Sequence, residues 1–371
     1  MAQASQPVLL ASGGTGGHLF PALALASALG KRGHDVHLAT DNRVRQFEGG
    51  IKDGNVHHVA SDTVRSKSPI RLLKTGMTLM RGFISAWSLI GKIKPGIVVG
   101  FGGYPTLPTI WAAHMRGVPI CLHEQNGVLG RANKALAKYA KALALSLPEV
   151  KFVDAEMLAK ATLTGNPVRP PVVAARDIPY QTPLVGAPFK LLIFGGSQGA
   201  RFFSDMVPAG IARLSPEERG SLEIVQQCRI EDCVRVEDTY RELGVKAEVA
   251  AFFNDLPKRI AQAHLIISRS GASTAAELAV IGRPALMVPL PHAIDNDQLA
   301  NANALVAAGA GWLLPQSEID PTRLALEIST CMKNPVALSE AAANARSVGR
   351  PDAAENLADL VETLLGKSGK N

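Results

Sequence analysis

The fold is decided by two glycine-rich stretches, each of which directly follows a short apolar run. The first reads VLLASGGTGGH over residues 8–18, and the second reads KLLIFGGSQGA over residues 190–200. An uninterrupted apolar run that ends in glycines and leads into a helix is typical of a parallel β-strand buried on both faces. The sequence therefore predicts an α/β protein with doubly wound sheets.

Other landmarks also occur twice along the chain, and in the same order. The FGGYPT of residues 101–106 has a looser counterpart in the SGAST of residues 270–274. The GVP of residues 117–119 matches the GRP of residues 282–284, and each precedes an apolar run. The shared order favours two similar Rossmann-like domains that face each other across a cleft, rather than a chance likeness of β-α-β units.

A proline-rich linker, GNPVRPP at residues 165–171, predicts the boundary between the two domains. We expect an N-terminal domain over 1–167 and a C-terminal domain over 168–349. A last helix over about 350–371 is also expected, and packing back on the N-terminal domain is one option for it.

The composition indicates a globular protein with an anionic ligand or surface. Hydrophobic residues make up 47% and charged residues 19% of the 371 positions, which is too apolar for a disordered chain. The net charge is +7 and the pI is about 9.3, which suits phosphate-bearing ligands, nucleic acid or an anionic membrane surface without choosing among them. Four scattered cysteines argue against a disulfide framework or a CxxC zinc site and favour a reducing compartment. The chain has two long runs without charged residues, over 1–30 and 96–115. Glycines and prolines interrupt both runs, so no transmembrane helix is predicted.

The two glycine turns predict the binding of phosphate groups. Glycines let backbone N–H groups approach an anion closely, and the N-terminus of the following helix adds partial positive charge. Two such turns in equivalent places indicate a site that handles two phosphate groups. A dinucleotide site fits less well, because Leu19 stands where the G-x-G-x-x-G pattern needs its third glycine. A P-loop also fails, because no G-K-[ST] follows the glycines.

Polar residues beside these turns are candidates for chemistry. His18 is the best general base, since imidazole exchanges protons near neutral pH, and local capping or packing is the alternative. Its competitors are His123 and Glu124, at the end of another predicted strand. Glu277 either accepts two ribose hydroxyls or only stabilises a helix N-terminus. The D-x-D pair of residues 295–297 can hold a divalent metal, but opening the next helix is its more ordinary role.

Residues 70–94 predict a basic amphipathic helix with two apolar stripes. The first stripe carries Leu73, Met77, Met80, Ile84 and Trp87, and the second carries Leu72, Leu79, Phe83 and Ile90. We expect the first stripe to cover the sheet and the second to face an anionic membrane. The alternative is a fully buried helix with a solvated basic face. Nucleic acid is not an expected partner, because aromatic residues do not alternate with basic ones and no recognition motif occurs.

Taken in order, these motifs resemble the MurG family of peptidoglycan N-acetylglucosaminyltransferases. The resemblance rests on GGTGGH at 13–18, GGY at 102–104, HEQN at 123–126, GNPVR at 165–169, GGSQGA at 195–200, and SRSGA at 268–272 with Glu277. It spans nearly the whole chain and implies a two-domain B-type glycosyltransferase fold. It also implies transfer of GlcNAc from UDP-GlcNAc to the C4 hydroxyl of MurNAc in undecaprenyl-diphospho-MurNAc-pentapeptide (lipid I). The product would be lipid II, formed with inversion at the sugar carbon.

The resemblance further implies roles for individual residues. His18 would be catalytic. Ser197 would contact phosphate, the backbone of Phe253 the uracil, and Gln298 with Asn126 the GlcNAc. The full set of substrate-binding residues would be Thr15, Gly16, Gly17, Asn126, Arg169, Ser197, Phe253, Ala272, Ser273, Thr274, Glu277 and Gln298. Candidates on the acceptor side would be Gly14, Tyr104 and Glu124.

The partners implied are UDP-GlcNAc, lipid I and the anionic inner leaflet, with the protein peripheral on the cytoplasmic face of the cell membrane. No tightly bound cofactor and no metal ligand are implied, and Mg²⁺ held with the pyrophosphate is an option. Two positions depart from the family pattern: Asp297 stands where Gln is usual, and Phe253 stands where an aliphatic residue is common. The rival functions are a UDP-GlcNAc 2-epimerase of the same architecture and a nucleotide-binding membrane adaptor without catalysis.

Overall fold

The computed structural model describes residues 6–13, 16–41, 51–52, 54–61, 69–184, 186–195, 201–291 and 293–368. The chain divides into two compact units. The first contains Met1–Arg169 together with Pro351–Asn371, and the second contains Pro170–Arg350. The division between the units therefore falls inside the proline-rich linker.

The first unit is built on a parallel sheet of seven strands. These are β1 Val8–Ala11, β2 Val36–Thr40, β3 Val56–His58, β4 Ile97–Gly100, β5 Ile120–Glu124, β6 Ala142–Leu145 and β7 Ala161–Leu163. Their order in the sheet is β3-β2-β1-β4-β5-β6-β7. The direction of winding reverses between β1 and β4, and the carboxyl ends of strands at such a switch point are where open α/β sheets bind ligands.

Helices cover both faces of this sheet. They are α1 Gly16–Lys31, α2 Pro69–Ile93, α3 Thr106–Met115, α4 Arg131–Leu136, α5 Ala155–Leu158 and, from the end of the chain, α15 Ala353–Ser368. Alternate residues of β1 pack into opposite layers: Val8 and Leu10 join a core with α1 and α15, and Leu9 joins a core with α2 and α3. The last helix is thus part of the hydrophobic core of the first unit.

The second unit repeats the architecture with six parallel strands. These are β8 Phe189–Phe194, β9 Leu222–Gln227, β10 Lys246–Ala250, β11 Leu265–Ser268, β12 Ala285–Met287 and β13 Gly311–Leu313, in the order β10-β9-β8-β11-β12-β13. Its helices are α6 Pro170–Ala175, α7 Arg201–Ile211, α8 Pro216–Ser221, α9 Cys233–Glu242, α10 Leu256–Gln262, α11 Ala272–Ile281, α12 Asp297–Ala307, α13 Pro321–Lys333 and α14 Pro335–Val348. The switch point lies between β8 and β11, so in each unit the strand that precedes a glycine-rich stretch of sequence, β1 or β8, lies at the switch point.

The structure reverses the predicted orientation of α2. Met77, Met80 and Ile84 of the first stripe are 54%, 59% and 60% exposed, whereas Ile90 of the second stripe is 2% exposed. The side chains of residues 69–74, which include Leu72 and Leu73, lie outside the described part of the chain. The prediction that the second stripe faces a membrane is therefore wrong for Ile90.

The reason is a close approach of α2 to the body of the unit at Gly82. A Cβ at this position would overlap the carbonyl oxygen of Ala60, so only glycine fits there. Ala86 and Ile90, each one helical turn further along, are buried on the same side. Phe83 is half-buried beside them, with its ring 5.8 Å from the ring of Trp111. Close packing at Gly82 thus fixes which side of the helix faces the core.

The second stripe instead contributes to an apolar cavity between α2 and α3. The cavity has a volume of about 600 Å³ and is lined by Gly76, Leu79, Met80, Phe83, Leu107, Pro108, Trp111, Met115, Leu136 and Tyr139. Three of the large hydrophobic residues among these are also exposed, namely Met80 at 59%, Trp111 at 55% and Met115 at 60%. Within the described residues, no helix combines the length and the apolar character needed to cross a bilayer.

Candidate active site

His18 lies at the switch point of the first sheet, in the first turn of α1. Its imidazole packs against the turn that follows β4: a Cβ on Gly102 would lie 3.4 Å from His18 Cδ2, and one on Gly103 would lie 3.7 Å from His18 Cε1. Both glycines have positive φ, 79° and 78°, a conformation that other residues adopt only with strain. Thr106 Oγ1 closes the turn by donating to the carbonyl of Gly103 at 2.8 Å. The two glycine motifs GGTGGH and GGY are therefore brought together, with His18 between them.

The start of α1 is suited to an anion. The first turn of the helix contains no acidic residue, and Gly17 is exposed with open space where a side chain would stand. Gly16 is half-buried. A Cβ on Gly16 would lie 3.1 Å from the ring of Phe20. The guanidinium of Arg169 lies over that same ring, 4.7 Å from its centroid. Positive charge thus lies close to the helix N-terminus, while Gly14 and Thr15 fall outside the described residues.

Glu124, which the sequence offers as an alternative general base to His18, forms hydrogen bonds within its own loop. Its side chain is buried and accepts from the backbone N–H groups of Asn126 and Gly130, at 3.0 and 2.9 Å, and from Asn133 Nδ2 at 2.8 Å. Burial raises the pKa of Glu124, while these donors act in the opposite direction. The geometry assigns Glu124 to shaping the loop that carries Asn126, which is half-buried beside it.

His123 is also engaged and stays neutral. Its Nε2 donates to the carbonyl of Gly165 at 3.0 Å, so Nδ1 is the acceptor for Gln125 Nε2 at 2.9 Å. Complete burial lowers the pKa of His123 to about 4. Nε2 therefore joins the end of β5 to the GNPVR segment, while Nδ1 holds the side chain of Gln125 in the loop that follows β5. Of the three candidate bases, His18 alone lies at the glycine turns.

Asn166 is a site candidate that sequence reasoning missed. Its side chain is 6% exposed, and neither its Oδ1 nor its Nδ2 has a hydrogen-bond partner among the described residues. A buried amide without partners costs about 1–3 kcal/mol, which points to a ligand or to a partner outside the described residues. Its place in the GNPVR motif was the only signal in the sequence.

In the second unit, the end of β11 and the start of α11 form the candidate donor site. Gly271 is the N-cap of α11, and no side chain of the described residues caps the first backbone N–H groups of the helix. Ala272, Ser273 and Thr274 are partly exposed there, and Ser273 Oγ has no partner within the described part of the chain. Glu277 follows one turn later and is 6% exposed. Ser197, in the equivalent turn after β8, falls outside the described residues.

Gln298 is tied to this turn through its backbone. Its carbonyl accepts from Ser270 Oγ at 2.8 Å, and its side-chain Oε1 accepts from the backbone N–H of Leu290 at 3.0 Å. Its amide can therefore offer two N–H donors to a ligand. Asn301 Nδ2 adds a bond to the carbonyl of Ser270 at 3.1 Å. The structure thus brings Gln298 next to the turn that precedes the Ala272–Glu277 segment.

The D-x-D pair opens α12 rather than forming a cluster of ligands. Asp297 is the first residue of α12, and its Oδ1 accepts from the backbone N–H of Gln298 at 2.7 Å. Burial raises the pKa of Asp297, and the preceding Asp295 and Asn296 adopt left-handed backbone conformations with φ of 58° and 55°. The described residues contain no group of three His, Cys, Asp or Glu side chains placed to bind a metal.

Phe253 lies in the middle of the loop between β10 and α10. Its side chain is 7% exposed, and the Arg259 guanidinium lies 4.2 Å from the ring centroid. The ring is therefore committed to packing, and only the backbone of Phe253 is available to a nucleobase. This agrees with a role for the backbone, in which the identity of the side chain matters little.

Comparison with known proteins gives matches over nearly the whole length. Residues 8–145 match the glycosyltransferase family 28 N-terminal domain, and residues 190–357 match the glycosyltransferase family 28 C-terminal domain. A UDP-N-acetylglucosamine--N-acetylmuramyl-(pentapeptide) pyrophosphoryl-undecaprenol N-acetylglucosamine transferase from Brucella anthropi is 52% identical, with 97% of this chain and 96% of the relative covered. The chain belongs to the MurG family of glycosyltransferases. A relative of the same name from Mesorhizobium japonicum is 54% identical, with 97% and 96% covered.

Solved structures agree with this assignment. The crystal structure of Acinetobacter baumannii MurG has a TM-score of 0.77 and 29% identity, with 96% of this chain and 99% of that chain covered. A putative UDP-N-acetylglucosamine 2-epimerase from Listeria monocytogenes has a TM-score of 0.68 and 15% identity, with 98% of each chain covered. At that identity the second match shows the shared fold alone. The protein is an enzyme with the two α/β domains of B-type glycosyltransferases.

Proposed function

We propose that this enzyme transfers GlcNAc from UDP-GlcNAc to the C4 hydroxyl of MurNAc in lipid I, forming lipid II and releasing UDP. The proposal rests on the family and on one geometric observation, which is that His18 lies between two glycine turns at the switch point of the first sheet. The relatives that are more than half identical to this chain carry the same reaction in their names.

The reaction is a single displacement at C1 of GlcNAc. The bond from C1 to the diphosphate oxygen of UDP breaks, the acceptor O4 forms the new bond to C1, and the O4 proton leaves. His18 is the group that accepts this proton, because its imidazole lies at the start of α1 against the glycine turn that follows β4, whereas His123 and Glu124 are buried. Attack from the face opposite to the leaving diphosphate converts the α-linked donor into a β-linked product.

The donor is bound by the second unit. The N–H groups at the start of α11, which no side chain of the described residues caps, and the hydroxyl of Ser273 stabilise the negative charge that develops on the leaving diphosphate. Glu277 accepts the ribose hydroxyls, the amide of Gln298 donates to the GlcNAc, and Ser197 contacts phosphate. The backbone of Phe253 reads the uracil.

The acceptor is bound by the first unit. The turn that contains Gly14, Thr15, Gly16 and Gly17 holds the lipid diphosphate at the N-terminus of α1, where the first turn carries no acidic residue. Tyr104 is the last residue of the GGY stretch that follows β4 on the same edge of the sheet, and Asn126 reaches the transferred sugar. Arg169 adds positive charge beside α1. These contacts need no tightly bound metal, and Mg²⁺ is expected only in company with a pyrophosphate.

The exposed side of α2 is the surface that docks on the cytoplasmic face of the cell membrane. Met77, Met80 and Ile84 form an exposed apolar stripe, which continues in Trp87 at 37% exposure. The guanidinium of Arg116 lies 4.1 Å from the centroid of the Trp87 ring, so positive charge borders the stripe. Apolar side chains next to basic ones favour an anionic lipid surface. This surface would bring the enzyme to the membrane-bound acceptor, and no nucleic-acid partner is expected.

The decisive experiment is incubation of the enzyme with UDP-GlcNAc and a short-chain analogue of lipid I, followed by NMR determination of the new linkage. A β-1,4 disaccharide on the lipid is the expected product. Formation of a 2-epimer from UDP-GlcNAc without acceptor would establish the epimerase instead. Binding of UDP without turnover, unaffected by His18→Ala, would establish a non-catalytic adaptor.

A further inference from the structure

The second unit contains a pair of thiols that the transfer reaction does not use. Cys228 follows β9 directly and Cys233 is the first residue of α9, with four residues of turn between them. Their Sγ atoms are 2.7 Å apart, and neither cysteine is in a disulfide. A disulfide bond is about 2.05 Å long, so the two sulfurs need to move by less than about 1 Å to bond. The turn already holds them in the required proximity.

The two thiols differ in their access to solvent. Cys228 is 1% exposed, while Cys233 is partly exposed at the protein surface. The turn that joins them is open, since Ile230 is 80% exposed. Burial raises the pKa of the Cys228 thiol, which disfavours direct attack by this residue on an outside reagent. A dissolved oxidant therefore meets Cys233 first.

We propose that Cys228 and Cys233 form a reversible intramolecular disulfide by exchange with a low-molecular-weight disulfide, and that this bond weakens nucleotide binding by the second unit. The Cys233 thiolate attacks the small disulfide, forms a mixed disulfide and releases one thiolate. Cys228 then gives its proton to solvent, attacks Cys233 Sγ and releases the second thiolate. Overall, two protein thiols are oxidised and one small disulfide is reduced to two thiols.

The coupling to the nucleotide runs through the neighbouring strand. The backbone N–H of Cys228 donates to the carbonyl of Ala250 at 3.1 Å, and Gln227 Nε2 donates to the carbonyl of Ala251 at 3.1 Å. Phe253, whose backbone is assigned to the uracil, follows two residues later. A bond from Cys228 to the start of α9 constrains the end of β9, which these two hydrogen bonds connect to the loop 250–253. This second part of the inference rests on the proposed function, whereas formation of the disulfide does not.

The test treats the full-length enzyme with oxidised glutathione and digests it with trypsin without reduction. Arg229 lies between the two cysteines, so trypsin cuts the turn and a disulfide leaves two peptides joined, which dithiothreitol separates. We expect the joined peptides in the wild type and in Cys331→Ser, a matched control at a buried cysteine of the same unit. We expect none in Cys233→Ser, which changes a partly exposed position.

The second measurement is the affinity for UDP by calorimetry, before and after oxidation. Oxidation should weaken UDP binding to the wild type at least about fivefold, dithiothreitol should restore it, and Cys233→Ser should be unaffected. A glutathione adduct that stays on Cys233, or no joined peptides, would overturn the disulfide. Joined peptides with unchanged UDP affinity would overturn its effect on the nucleotide. Failure of the reduced enzyme to bind UDP would instead count against the proposed function.

Discussion

Vesicle binding should depend on single side chains along the exposed side of α2. Ile84 is 60% exposed, and burying a whole Ile side chain contributes about 1.5–3 kcal/mol. Transfer of the exposed part into lipid is therefore worth about 1–2 kcal/mol. Ile84→Asp removes this contribution and adds a charge that anionic lipid repels. We expect the affinity for anionic vesicles to fall at least about tenfold.

The assay is cosedimentation with vesicles that contain phosphatidylglycerol, measured over a range of lipid concentrations. Leu326→Asp is the matched control, because Leu326 is 58% exposed on α13 of the other unit. We expect this control to bind as the wild type does, and circular dichroism should show that both variants are folded. Equal affinities for Ile84→Asp, Leu326→Asp and the wild type would refute the assignment of this surface.

Four further outcomes are expected. His18→Ala should lower kcat by about 10²–10⁴-fold with little change in UDP affinity by calorimetry; a large loss of affinity with preserved kcat would contradict the base role. Asn166→Ala should reduce transfer in a steady-state assay without lowering the Tm, because its buried amide has no partner among the described residues. The hydrogen bond from Lys333 lowers the pKa of Glu218 to about 2, so its stabilisation is complete above about pH 4.5 and is lost as the pH falls towards 2. Glu218→Gln should therefore remove up to about 1 kcal/mol of this pH dependence in urea unfolding, and an unchanged slope would contradict it. Treatment with EDTA should leave transfer largely intact, and complete loss that Mg²⁺ restores would show that a metal is required.

The sheets and their glycine turns could be predicted because a local pattern specifies them. An apolar run such as Val8–Ala11 that ends in glycine has few alternatives in an α/β protein, and its 0% exposure follows from helices on both faces. His18 and the Ala272–Glu277 segment could be found for the same reason, since each directly follows such a strand. The family resemblance then supplied the substrates, which no pattern of residues specifies by itself.

The orientation of α2 could not be predicted, because periodicity identifies apolar faces but not their partners. Its two stripes are similarly hydrophobic. Which stripe faces the core depends on the contact of Gly82 with Ala60, which is distant in sequence but adjacent in space. The hydrogen bonds of Glu124 within its own loop could not be predicted either, because their donors lie up to nine residues away in sequence. The sequence signals Asn166 only through its place in GNPVR and does not signal the pair of thiols, so the burial of the amide and the proximity of the two sulfurs became visible only in the structure.

The return of α15 to the first unit has a consequence for biosynthesis. Leu357, Ala358 and Val361 are fully buried in the same core as β1, so that core lacks one of its walls until the ribosome has completed the second unit. The second unit is in effect an insertion into the first, and it can fold before the first unit is complete. We therefore expect chains that end before residue 353 and have been released from the ribosome to hold a folded second unit beside a first unit that is still sensitive to protease, an order of assembly opposite to the usual N-terminal-first rule.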